Sequence, residues 1–184
     1  MQEQEANLSP PDDRTLAREA QTHPAAFAEL YRRHADRIFR YVMARVGNIQ
    51  DAQDITAQVF LDALKSLPNY NARWTFAAWI TGIAHNKVVD FYRKRRIVLP
   101  LEHAASKAHP DLPPDEIVFR RLRLSQVREG MTHLGAERAE VIALRIFGGL
   151  STAETAQIMN KSDSAVKMLL YRALRDLRAY LGED

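Results

Sequence analysis

Gly149-Leu-Ser151-Thr-Ala-Glu154-Thr-Ala156-Gln-Ile-Met-Asn160-Lys-Ser162-Asp163-Ser-Ala-Val166-Lys167-Met-Leu-Leu170-Tyr171-Arg-Ala173-Leu174-Arg175-Asp-Leu177-Arg178 decides the fold, because it passes from one helix to a second across a tight polar turn. Ser151 followed three residues later by Glu154 is a capping box that opens a short helix. Ala156 is the small residue that lets two helices cross closely. Asn160-Lys161-Ser162-Asp163 supplies a turn and a fresh cap. In the next helix Val166, Leu170, Ala173, Leu174, Leu177 and Leu181 fall on one apolar face. At about 100° per residue, Ser164, Lys167, Met168, Tyr171, Arg175 and Arg178 gather on the opposite side. Such a face suits a major groove, where Lys and Arg meet guanine edges and phosphates. A solvated amphipathic helix in an ordinary bundle carries the same pattern, so this segment needs support from the rest of the chain.

That support lies upstream. Residues 70–96 place Tyr70, Arg73 and Trp74 ahead of a helix that begins near Phe76 and ends in Arg93-Lys94-Arg95-Arg96. Aromatic faces stack unpaired bases, an Asn side chain reads a base edge, and cations neutralise phosphates. Helical projection puts Phe76, Ile80, Ile83, Ala84 and Phe91 inward, with Trp79 beside them. Asn86, Asp90 and Arg93 form a stripe at the border of that face, where Asp90 is spaced to orient Arg93 or Lys94. Tyr70, Arg73 and Trp74 precede the helix, in a loop where rings are free to stack a base.

A third segment, residues 51–67, has a predicted buried stripe of Thr56, Val59, Phe60, Ala63, Leu64 and Leu67. Asp54, Gln58, Leu61 and Lys65 share the other face, with Asp51 in a capping position. A leucine among polar residues on an outward face marks a protein-docking surface, although single exposed leucines are also common.

Across the 184 residues strand signals are nearly absent, and the expected fold is all-α. Helices are predicted over 24–46, 51–67, 76–96, 115–129, 136–147, 151–159 and 163–181. Pro100, Pro110, Pro113 and Pro114 mark a linker. The expected organisation is a tail over 1–23, a helical domain over 24–96, a linker over 97–114 and a second helical domain over 115–184. Net charge is only +3, but cations concentrate at 93–96 and 167–178. The chain has no cysteine, which removes disulfides and thiolate metal sites. An acidic N-terminus without an apolar run and the lack of an 18-residue apolar stretch lead us to expect a soluble, cytoplasmic protein. The six histidines are scattered and no P-loop or nucleophile elbow occurs, so no enzyme activity and no cofactor are expected. His103, His109 and Asp111 are the nearest approach to a metal set, and no metal is expected there.

Taken in order, these segments resemble bacterial sigma factors of the extracytoplasmic-function (ECF) group, over about Ala25 to Leu181. Asp51-Ala-Gln-Asp54-Ile-Thr-Ala-Gln58-Val-Phe60-Leu61-Asp-Ala-Leu64 is similar to the helix by which that family binds polymerase. Phe76-Ala-Ala-Trp79-Ile-Thr-Gly-Ile-Ala84-His-Asn86-Lys-Val-Val-Asp90 resembles the segment that opens and reads the minus-ten element. The helix-turn-helix resembles the reader of the minus-thirty-five element. Four positions depart from the family pattern. Ala57-Gln58 stands for the usual Gln-Glu, Asn160 for the turn glycine, Leu134-Gly135 for Leu-Pro, and Leu169 for a basic residue.

The resemblance implies a sigma factor that binds core RNA polymerase, at the beta-prime clamp and beta flap, with Asp51, Asp54, Gln58, Leu61 and Lys65. It implies capture of melted minus-ten DNA by Tyr70, Arg73, Trp74, Asn86, Lys87, Arg93, Lys94, Arg95 and Arg96. Duplex minus-thirty-five DNA would fall to Ser151, Thr152, Ser164, Lys167, Met168, Tyr171, Arg172, Arg175 and Arg178. An anti-sigma factor is the further partner it implies. The alternative, a stand-alone helix-turn-helix regulator, accounts for 150–181 but not for the docking helix or the aromatic-basic segment.

Overall fold

A computed structural model describes residues 11–98 and 126–182. Among these residues every regular element is helical. The expected linker lies outside them apart from its first two residues, as does the expected helix over 115–129 apart from its end. His103, His109 and Asp111 lie outside them too.

The first unit is built from α1 (Asp13–Glu19), α2 (Pro24–Val46), α3 (Ile49–Ser66), a single 3-10 turn (Leu67–Asn69) and α4 (Phe76–Val98). Pro24 opens α2 at a position where its missing N–H costs nothing. Gly47 closes it with φ 72°, a left-handed conformation that glycine adopts without strain. Leu30, Ile38, Tyr41 and Val42 of α2 then meet Ala52, Val59 and Ala63 of α3 and Ile80, Ala84 and Val88 of α4 in one core, all at the limit of burial.

The second unit comprises helical residues 126–133 (α5), α6 (Ala136–Ile142), a π-helical continuation (Ala143–Phe147), α7 (Thr152–Ile158) and α8 (Asp163–Leu181). At the end of the π turn Gly148 donates to the Ala143 carbonyl at 2.7 Å. A Cβ on Gly148 would sit 2.7 Å from the Leu144 carbonyl oxygen, so only glycine closes this turn. Val141, Ile142, Leu144, Leu150, Val166 and Ala173 form the unit's interior.

Three expectations are corrected here. The tail is shorter than 1–23, because Asp12 caps α1 by accepting from Thr15 N at 2.7 Å, and Leu16 and Ala17 are buried. Asp51 does not cap α3. Asn48 does, accepting from Asp51 N at 3.0 Å, so the helix starts earlier. Leu64 is not part of the core stripe; it is exposed beside Leu61.

Candidate polymerase and promoter interfaces

On α3 the outward row is as the spacing predicts. Asp54, Gln58, Leu61 and Lys65 are all exposed, and Leu61 shows 57% of its surface. Asp51 lies half-buried in the first turn of the same helix. With Leu64 exposed one turn away, the face carries two adjoining leucines rather than one, which makes it more apolar than the sequence pattern indicated. Asp62, on the side of α3 that faces α4, pairs with Lys87 at 2.5 Å. The hydrogen bond from Lys87 holds the Asp62 carboxyl below its ordinary range. Lys87 is therefore committed to joining two helices rather than standing free for DNA.

The loop before α4 divides its aromatic residues. Tyr70 is half-buried, with its ring 5.8 Å from Phe76 and 5.0 Å from Trp79, and its hydroxyl donates to the Trp74 carbonyl at 2.8 Å. It is thus a prop for the loop and not the free ring expected. Trp74 is exposed, as is Arg73, whose backbone N–H is held by the Asn71 side chain at 3.1 Å. Ala72 sits at φ 56°, a conformation rare for a residue with a Cβ and the kind of strain that collects at working loops. Thr75 caps α4 by accepting from Ala78 N at 3.1 Å.

Along α4, Asn86 is exposed ten residues beyond Phe76, about 15 Å up the helix axis. Trp74 and Asn86 are consequently too far apart along the helix to meet at one point. Asp90 orients Arg93 at 2.9 Å, and Arg95 lies over the Phe91 ring at 5.5 Å. Lys94 is exposed. The Arg96 side chain lies outside the described residues.

The helix-turn-helix is built as its residues dictate. Ser151 Oγ accepts from Glu154 N at 3.2 Å, and Glu154 Oε2 accepts from Ser151 N at 2.8 Å. Ala156 and Thr155 are buried at the crossing, and Asn160 takes φ 51° in the turn. Ser162 caps α8 through Ala165 N at 3.2 Å. Ser164, Lys167, Met168, Tyr171, Arg172, Arg175 and Arg178 are then all exposed, Tyr171 by 66%. Arg175 lies 3.3 Å from Asp176, which Arg138 also engages, whereas Lys167, Arg172 and Arg178 form no ion pair among the described residues. Thr152 is half-buried in the first turn of α7.

Two features escaped the sequence reading. A cavity of about 170 Å³ lies between Arg14, Arg18 and Gln21 of the N-terminal segment and Tyr70, Asn71 and Ala72 of the loop. The other is a buried carboxylate, Glu140, whose partners lie in the first unit. Its one sequence signal was an acidic residue inside the apolar run Ala139–Leu144.

Comparison with known proteins gives this geometry a family. Residues 30–97 match the Sigma-70 region 2 family and residues 124–177 the Sigma-70 region 4 family. The chain is 33% identical over 162 residues to the ECF RNA polymerase sigma factor BldN of Streptomyces coelicolor, covering 86% of this chain and 61% of BldN. It is 30% identical over 188 residues to the RNA polymerase sigma factor CnrH of Cupriavidus metallidurans, covering 96% of this chain and 98% of CnrH. The solved structure of CnrH in complex with the cytosolic domain of CnrY superimposes with a TM-score of 0.73 at 28% identity, over 94% of this chain and 98% of CnrH. A structure of the sigma factor RpoE in complex with the anti-sigma factor NepR from Bartonella quintana shares the fold, with a TM-score of 0.71 at 21% identity over 86% of this chain and 98% of RpoE. With both sigma regions in order and CnrH matched almost end to end, the chain belongs to the ECF RNA polymerase sigma factors.

Proposed function

We propose that this sigma factor docks on core RNA polymerase through α3, reads duplex minus-thirty-five DNA with α8, and captures melted minus-ten bases with the Trp74 loop and α4. The observation that carries the reading is the pairing of two outward surfaces of different chemistry on one chain. The α8 face of Lys167, Tyr171, Arg172 and Arg178 matches a phosphate-lined groove. The exposed Trp74 with Asn86 and Arg93 to Arg95 matches splayed single-stranded bases. A stand-alone helix-turn-helix regulator is not favoured, because residues 30–97 match sigma region 2.

In this reading Leu61 and Leu64 supply apolar contact to the polymerase clamp while Asp54, Gln58 and Lys65 form its polar rim. Asp51 belongs to the N-terminal edge of that surface. The beta flap is the expected partner of the second unit. Ser151 and Thr152 hold the N-terminus of α7 where a helix crosses the DNA backbone. Unstacking a base costs a few kcal/mol, and stacking on Trp74 with hydrogen bonds from Asn86 offsets it. Every step is binding, so the chain is read as a non-enzymatic factor working in the cytoplasm beside polymerase. No helix among the described residues is long and apolar enough to cross a membrane. An anti-sigma factor is a proposed partner, supported by the complex of the related sigma factor RpoE with the anti-sigma factor NepR.

The test is transcription from core polymerase plus this protein on melted and duplex templates. Asn86→Ala and Trp74→Ala are expected to leave polymerase binding intact and to reduce permanganate-detected opening, with partial rescue on a pre-melted minus-ten bubble. Equal defects on both templates would contradict base capture by this segment.

A further inference from the structure

The cavity between the N-terminal segment and the Trp74 loop is lined mostly by hydrogen-bond donors. Arg14 and Arg18, one turn apart on α1, form one wall with Gln21, and Tyr70, Asn71 and Ala72 form the other. Neither arginine takes part in an ion pair among the described residues. The acids beside them are committed elsewhere. Asp12 caps α1 through Thr15 N at 2.7 Å, and Asp13 lies 3.1 Å from Arg33 and 2.7 Å from His34. Those contacts pin α1 to α2 and so hold the two guanidiniums against the loop. On the other wall Asn71 gives its Oδ1 to the Arg73 N–H at 3.1 Å, which leaves the amide Nδ2 as its unused end.

This concentration of positive charge has no structural benefit. Like charges at i and i+4 repel and weaken the helix that carries them, and α1 has only seven residues. An anion between Arg14 and Arg18 relieves that repulsion. The cavity volume of about 170 Å³ is below the range of about 300–1,000 Å³ for sites that enclose a small molecule. Arg14, Arg18, Gln21 and Asn71 are all exposed, so the site is a notch open to solvent rather than a chamber. A notch of forked donors fits a charged group whose remainder lies outside, and phosphate takes bidentate guanidinium contacts. Trp74 selects a nucleic acid as the bearer of that phosphate. Its exposed ring follows Ala72 by two residues, at most about 7 Å of chain.

We propose that Arg14, Arg18 and Asn71 form a backbone-phosphate site for the melted strand, holding one nucleotide by its phosphate on α1 while a neighbouring base stacks on Trp74. The inference rests on the reading of this loop as the holder of melted minus-ten DNA. It gives α1 a positioning role, because phosphate contacts fix the register in which bases are presented. The left-handed Ala72, at φ 56°, sets the turn between the phosphate notch and the ring.

The test uses the full chain bound to core polymerase and a fluorescein-labelled oligothymidylate of about twelve nucleotides, since a phosphate site is blind to sequence. Anisotropy across a KCl series, with binding to core alone subtracted, gives affinity and salt slope. The proteins compared are wild type, Arg14→Gln/Arg18→Gln, Asn71→Asp, the triple variant and Trp74→Ala. Arg14→Gln/Arg18→Gln is expected to weaken binding about tenfold and to reduce the salt slope by about 0.7, the value of one single-strand phosphate. Its melting temperature is expected to stay level or rise, because the repulsion along α1 is gone. Asn71→Asp keeps the acceptor for the Arg73 N–H but sets a carboxylate against the phosphate, and is expected to weaken binding as well. The triple variant is expected to lose less than the sum of the two, as residues serving one site do.

Unchanged affinity and slope in Arg14→Gln/Arg18→Gln would overturn the site, and strictly additive losses would reduce it to unspecific charge. Inorganic phosphate, titrated against the melting temperature of the same proteins, separates the two sources of the anion. Stabilisation of the wild type alone, with oligonucleotide binding untouched by the substitutions, would replace the strand by the free ion and overturn the proposal. If Trp74→Ala leaves binding unchanged, base capture by the loop falls, while the arginine variants still decide the phosphate site.

Discussion

Trp74 and Tyr70 stand four residues apart, yet their surroundings give them different tasks. Trp74 is free to stack, whereas the Tyr70 ring is wedged against Phe76 and Trp79 and its hydroxyl holds the loop's own backbone. Trp74→Ala is accordingly expected to cost about 1–3 kcal/mol of single-strand affinity without loss of fold, measured by anisotropy with a minus-ten oligonucleotide. Tyr70→Ala is expected to lower the melting temperature as well, and an unchanged melting temperature would return Tyr70 to the DNA surface. Local spacing placed both residues in a loop but held no record of which ring would turn inward, since that depends on a neighbour one helical turn into α4. Leu61 and Leu64 pose the same difficulty. Periodicity put Leu61 outside correctly and Leu64 inside wrongly, because a residue at the edge of a helical stripe is buried only if the facing helix extends over it. Leu61→Asp is expected to abolish association with core polymerase in a pull-down while the helical signal is kept; an unfolded variant would show that Leu61 is core.

Helix boundaries follow from caps, and here the side chains speak plainly. The capping box at Ser151 and Glu154 formed where the sequence placed it, while Asn48 took the role assigned to Asp51. Both are good N-caps, and only the backbone of the preceding Gly47 turn selects between them. Helix α1 was missed because seven residues with two buried apolar positions give almost no periodic signal. It is retained by tertiary contacts: Arg33 reaches the Pro11 carbonyl at 2.8 Å, and His34 Nε2 lies 2.7 Å from Asp13 Oδ2. Burial pushes the His34 pKa down against the pull of Asp13. The unfolded chain then binds the proton more readily, so the stability this residue supports is present above about pH 6.5 and is lost as pH falls below it. His34→Gln is expected to flatten the fall in melting temperature between about pH 7.5 and 5.5; an identical slope in both proteins would place the titration elsewhere. On α8, Lys167→Ala and Arg178→Ala are each expected to reduce the salt slope of duplex binding by about one unit if they meet phosphates. An unchanged slope in both would move the recognition face.

At the scale of the whole molecule, both units were legible because each carries its own periodicity, caps and turn. Their mutual contact was not. Tyr41 and Glu140 are 99 positions apart, and no local pattern pairs them. The carboxylate within Ala139–Leu144 was the visible anomaly, and its partners became clear only once α2, α4 and α6 were packed together. The four departures from the sigma pattern leave the architecture intact: Asn160 adopts the left-handed turn, and Gly135 precedes α6 without a side-chain cap. Leu169 lies half-buried beside the exposed α8 face, so in the proposed reading its effect falls on the promoter sequence read and not on the role of the helix.

The central claim, that this chain directs core polymerase to a two-part promoter, is tested most directly by sequencing run-off transcripts from a pool of random promoter DNA. Core polymerase with this protein is expected to start on templates enriched for two motifs centred about 25 base pairs apart, with the upstream motif lost in Lys167→Ala/Arg178→Ala and opening at the downstream motif lost in Asn86→Ala. Start sites identical to those of core polymerase alone, or enrichment of a single motif, would contradict it.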